Sequence, residues 1–122
     1  MAALAQFRTF PREGSPMKTA TIGDARSFSL GSIQKNDLVA TEDLAVRLFC
    51  FEAGQRDDEA TLSTSVIYQV LEGEALLRMR DGRTRLGKGE VLALSAETSH
   101  VLENAGGGLL VVMVTTPVRT PL

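Results

Sequence analysis

One histidine, one cysteine and one tyrosine carry most of the reactive chemistry available to this chain: His100, Cys50 and Tyr68. A histidine titrates near neutral pH and can act as acid, base or ligand. A tyrosine offers a hydroxyl donor, and a cysteine a thiolate only where its surroundings lower its pKa. With His100 as the only histidine, the two-histidine, one-carboxylate site of non-haem iron oxygenases is excluded within one chain. A mixed site of His100, Cys50 and one of Asp57, Asp58 or Glu59 stays conceivable, although the acidic trio reads first as a solvated loop. Cys50 lies in an apolar run with no adjacent base and reads as a core residue. Asn104 has the amide needed to pin a following loop.

These residues must be positioned by strands. From Met17 onward, short apolar or alternating segments are separated by turn residues, and no window of eleven or more residues carries a capped helical stripe. Strands are expected near 18–22, 27–30, 36–40, 44–52, 65–72, 74–80, 83–87, 90–94, 99–103 and 108–116, which predicts an all-β sandwich or barrel. Asp81-Gly82 predicts a hairpin turn. Around it Arg78, Arg80, Arg83 and Arg85 recur with period two, which reads as the wet face of a hairpin, with a phosphate-binding patch as the less favoured alternative. Leu44 to Phe51 and Leu109 to Val114 are apolar on both faces. A small barrel buries only its inner face, so a second cover is expected, either another layer of the chain or a second subunit. A homodimer is the simpler expectation.

The totals narrow the classes further. A chain of 122 residues suits one domain, and its 43% hydrophobic content is enough for a core without disulfides, which a single cysteine cannot form within the chain. An unpaired thiol suits a reducing compartment, so a cytoplasmic location is expected. A net charge of -2 argues against a nucleic-acid partner, and no apolar run approaches the roughly 20 residues of a membrane span. Residues 1–16, with Pro11, Gly14 and Pro16, are expected to be a flexible tail preceding a domain over 17–122.

The stretch from Gly54 to Asn104 resembles the two motifs of the cupin superfamily, in particular its small single-domain, RmlC-like members. Gly54 and Gly73 frame the first motif. Gly89, Ser95, Glu97, His100 and Asn104 fall at the positions of the second with its spacing intact, and YQVLEGEA and RLGKGEVLALSAETSHVLEN share the texture of such proteins. The resemblance, spanning about residues 43–116, implies a double-stranded β-helix, or jelly-roll barrel. It also implies where a metal would sit, because cupins bind one through two histidines and a glutamate of motif one and the histidine of motif two. Here the first three positions are Ala60, Leu62 and Val66. In the implied register the side chains of 60, 62, 66, 68 and 70 point inward and Asp58 lies on their side, with Asp57 and Glu59 outside. The pocket wall would then be Ala60, Leu62, Val66, Tyr68, Val70 and His100.

Three functions are compatible with these residues. One is a metal-free domain, with no cofactor, enclosing a small and mainly apolar ligand. A second is a metal-independent isomerase or epimerase using His100 with Tyr68 for proton transfer. A third is a metal-dependent cupin enzyme with an unusual ligand set.

Overall fold

The computed structural model describes residues 16–118, so the expected tail lies outside the described residues except for Pro16. A 3-10 turn, Ile22–Ala25, precedes eight strands: β1 Gln34–Ala40, β2 Leu44–Phe51, β3 Val66–Glu72, β4 Glu74–Met79, β5 Gly82–Gly87, β6 Val91–Leu94, β7 His100–Asn104 and β8 Leu110–Pro117. They form two antiparallel sheets, one ordered β1-β2-β8-β3-β6 and the other β5-β4-β7. No described helix is long and apolar enough to cross a membrane.

Alternation of side chains builds the core between the sheets. Phe49 and Phe51 of β2, Val66, Tyr68 and Val70 of β3, Leu94 of β6, and Leu110, Val112 and Val114 of β8 face Ala75 and Leu77 of β4, Leu86 of β5 and Leu102 of β7. Each large side chain buried in this way contributes roughly 1.5–3 kcal/mol before conformational entropy is subtracted. The opposite face of the larger sheet buries Leu48, Cys50 and Val111 against Ala25, Phe28, Leu71 and Met113. Part of the second cover is therefore supplied by the chain itself, from the segment before β1.

That segment departs from expectation. Residues 18–22 and 27–30 are not strands; the chain turns at Ile22–Ala25 and then lies across the outer face. Its polar groups are satisfied by side chains instead of a ladder. Asn36 Nδ2 donates to Ala25 O at 2.7 Å and Ser27 Oγ at 2.9 Å, Gln55 Nε2 donates to Ser29 O at 2.8 Å, and Arg26 pairs with Glu72. The hairpin tip also moves by one residue: Met79 pairs with Gly82, leaving Arg80 and Asp81 at the turn. Neither has positive φ, so this is not the mirror-image turn that Asp-Gly suggested.

Gly73 makes the corner between the sheets. It sits between β3 and β4 with φ of +86°, and a Cβ there would lie 2.2 Å from Leu109 O. Only glycine allows β8 to pass this close.

Candidate functional site

His100 opens β7 and is held from both sides. Its backbone N–H donates to Ala60 O and its carbonyl accepts from Ala60 N–H, both at 2.9 Å. The side chain is buried, 3% exposed. Nδ1 lies 2.8 Å from Thr98 O; a carbonyl can only accept, so Nδ1 carries a proton. In the neutral ring Nε2 is then an acceptor, and the Tyr68 hydroxyl donates to it at 2.8 Å. The two rings meet edge to face, with centroids 5.6 Å apart. Tyr68 comes from β3 and His100 from β7, so the pair links the two sheets.

The Tyr68 hydroxyl is kept protonated by its surroundings. Burial is the larger cause and the nearby Asp57 carboxylate the smaller, and together they push its pKa up from 10.0 to about 12. Both oppose a phenolate, one by removing water and the other by like charge.

Asp57 corrects the expected orientation. Its side chain is largely buried, 17% exposed, in an ion pair with Lys35 at 2.9 Å, whereas Asp58 is exposed. The cause is a register shift. Arg56 bridges Glu103, but Ala60 bridges His100, so one extra residue lies between them. A one-residue slip exchanges faces, which brings Asp57 toward Tyr68.

Among the other expected pocket residues, Val66 and Val70 are buried in the core and Ala60 and Leu62 half-buried. Cys50 belongs to the outer cluster with Leu48 and Val111, across the sheet from His100, so the mixed His100–Cys50 site does not form. Among the described residues no three of His, Cys, Asp and Glu converge. The family's metal therefore does not fit: apolar side chains stand at three of its four ligand positions, and the Nε2 of the fourth accepts from Tyr68. Asn104 pins the chain as expected, its Nδ2 donating to Glu52 O at 3.0 Å and Gly108 O at 2.7 Å while Oδ1 accepts from Gly106 N–H at 3.0 Å.

Sequence reading missed the charged rim beside the pair. Arg47 interrupts an otherwise apolar strand, and the register places it in one cross-strand row with Asp37, Val114 and Tyr68. Its guanidinium and the Lys35 ammonium both lie over the Phe49 ring, at 5.3 Å and 5.0 Å. Arg47 Nε is 3.4 Å from Asp37 Oδ1, but among the described residues that buried nitrogen has no partner in hydrogen-bonding geometry. The period-two pattern could have shown that Arg47 shares the inward face of Phe49. A groove of about 420 Å³ adjoins this rim, lined by Ile33, Lys35, Gln55, Arg56, Asp57 and Asp58 among others. Ile33 packs on the core, and Asp57 is the carboxylate that acts on the Tyr68 hydroxyl; Tyr68 and His100 are not themselves among the groove's lining residues.

No family model matches the chain, and no curated protein matches it in sequence. Solved structures do match in shape. The TT1209 protein of Thermus thermophilus superposes with a TM-score of 0.77 at 20% identity, over 85% of this chain and 100% of that one. An RmlC-like cupin from Desulfovibrio desulfuricans gives 0.72 at 23% identity, over 83% and 96%. An RmlC-like cupin of double-stranded β-helix fold from Methanocaldococcus jannaschii gives 0.69 at 15% identity, over 85% and 93%. The chain has the cupin fold. At these identities the likeness concerns the fold alone, and the cupin barrel hosts varied chemistry, so function has to be argued from the Tyr68–His100 pair and its rim.

Proposed function

We propose that this cupin domain is a metal-independent binder of a small molecule at the barrel mouth, over the Tyr68–His100 pair. The observation that carries the reading is the 2.8 Å bond between Tyr68 and His100 at the family's metal position. The pair presents a protonated hydroxyl and an imidazole where a Lewis acid would otherwise stand. The groove on the Asp57 side has Lys35, Gln55, Arg56 and Asp57 on its walls and Ile33 packed on the core, and none of the expected wall of Ala60, Leu62, Val66, Tyr68, Val70 and His100 lines it. These groups suit a ligand with an apolar body and a polar or carboxylate end, oriented by Lys35 and entering against Ile33.

The test is a thermal-shift and calorimetric screen of small carboxylates, followed by the selected compound on Lys35→Met, Tyr68→Phe and His100→Ala. Affinity should fall in Lys35→Met and Tyr68→Phe while each variant remains folded. A compound that binds all three variants as tightly as the wild type would show that it sits elsewhere and would remove the reading.

A metal-independent isomerase or epimerase is the second reading, favoured by the ordered imidazole: Thr98 O holds Nδ1–H, leaving Nε2 as the basic atom. For such chemistry a substrate must displace the Tyr68 hydroxyl from Nε2. Solvent-deuterium incorporation at a carbon next to a carbonyl, lost in His100→Ala, would distinguish this reading from simple binding.

A further inference from the structure

The outer face of the three-stranded sheet holds a concavity of about 500 Å³ lined by Leu76, Arg78, Arg83, Arg85, Glu103, Asn104 and Ala105. It lies on the opposite side of the β4-β7 ladder from the Tyr68–His100 pair: Leu76 and Arg78 alternate with the inward Ala75 and Leu77. Arg78 stands directly across from Arg83 in the β4-β5 ladder, and Arg85 directly across from Leu76. Leu76, 7% exposed although it faces outward, forms the floor under the arginine stems.

The charges in this concavity are unevenly matched. Arg78 Nε donates to Glu103 at 2.7 Å, and Arg85 Nη1 pairs with Glu74 at 3.1 Å. Arg83 has no carboxylate partner among the described residues. Like charges directly opposed across an antiparallel ladder are destabilising; Glu103 offsets Arg78, whereas Arg83 across from it has no carboxylate of its own among the described residues. Three guanidinium groups against two carboxylates leave one positive charge, centred on Arg83.

We propose that this face is a second site, separate from the barrel mouth, that binds a small phosphate-bearing molecule. Guanidinium forks match phosphate oxygens in pairs. A phosphate offers three acceptor oxygens to three arginines, where a carboxylate offers two. A wet hairpin face with period-two arginines accounts for the alternation, but not for an arginine left without a carboxylate partner beside a concavity.

The test is calorimetric titration of the full chain with inorganic phosphate, with acetate as comparison and again at raised sodium chloride. Saturable binding of one phosphate per chain, weaker acetate binding, and about a tenfold loss of phosphate affinity in Arg83→Gln are expected. Lys88→Gln removes a charge from the same hairpin region without touching the concavity and should bind phosphate as the wild type does. Non-saturable phosphate binding, or equal losses in Arg83→Gln and Lys88→Gln, would reduce the patch to a diffuse field and overturn the proposal. So would loss of phosphate binding in Lys35→Met with no loss in Arg83→Gln, which would place the anion at the mouth.

Discussion

Raising the pH should loosen this protein through one hydroxyl. Tyr68 is its only tyrosine and there is no tryptophan, so tyrosinate absorbance in the near ultraviolet reports that group alone. In the folded chain its pKa is pushed up from 10.0 to about 12, by burial first and Asp57 second. Below the unfolded value the group is protonated in both states and adds no pH dependence. Between the two values the unfolded chain releases the proton and the folded chain keeps it, so stability falls as pH rises. Two pKa units set the loss at roughly 2–3 kcal/mol, complete only above the folded value. Tyr68→Phe keeps the ring but leaves His100 Nε2 buried without its donor, which costs about 1–3 kcal/mol near neutral pH. The variant lacks the alkaline loss, so urea unfolding of the two proteins should differ at neutral pH and converge at high pH. A tyrosinate midpoint near the ordinary value in the folded protein, or a stability gap that does not change with pH, would refute the account of a sealed, hydrogen-bonded hydroxyl.

Further expectations follow from single contacts. Gly73→Ala should destabilise by about 2–5 kcal/mol, combining the left-handed φ with the overlap against Leu109 O, as read by chemical denaturation. Glu97 has a φ of 64° and is the only described non-glycine residue with positive φ. Glu97→Gly should therefore leave stability unchanged or raise it by up to about 1 kcal/mol, and a lower unfolding midpoint would contradict this. Asn104→Ala removes three side-chain hydrogen bonds and should cost about 2–4 kcal/mol, with faster amide exchange in the loop at 105–108. Cys50, fully buried in the outer cluster, should react with thiol reagents only on unfolding; rapid modification of the native protein would show that the segment carrying Ala25 and Phe28 lifts away.

What could be read from the residues alone depended on how local the cause was. Glycines 54, 73 and 89 marked real corners, each with positive φ, because a left-handed backbone position leaves a trace in composition. Glu97 occupies the cupin motif's glycine position and keeps its conformation, so the spacing carried information that the residue type hid. Strands β3 to β7 were legible as short alternating or apolar segments between turn residues, and β2 and β8 as runs apolar on both faces. The segment before β1 was not, because apolar residues such as Ile22 and Phe28 read like strand residues until a sheet face exists for the segment to cover. Asp57 was misplaced because strict alternation assumes an unbroken ladder, and the extra residue between the two bridges has no signature in sequence. Lys35 and Arg47 were legible as charges but not as neighbours of one another, since their meeting over Phe49 depends on the pairing of β1 with β2.

The bond between Tyr68 and His100 ties one sheet to the other. Any molecule that takes the Tyr68 hydroxyl for itself must untie them, so occupancy at the mouth is converted into a change in how tightly the two halves are held. Under the proposed binding, filling the site would alter the breathing of β7 against β3. Amide exchange along those two strands could register the arrival of a ligand even where no backbone atom has moved.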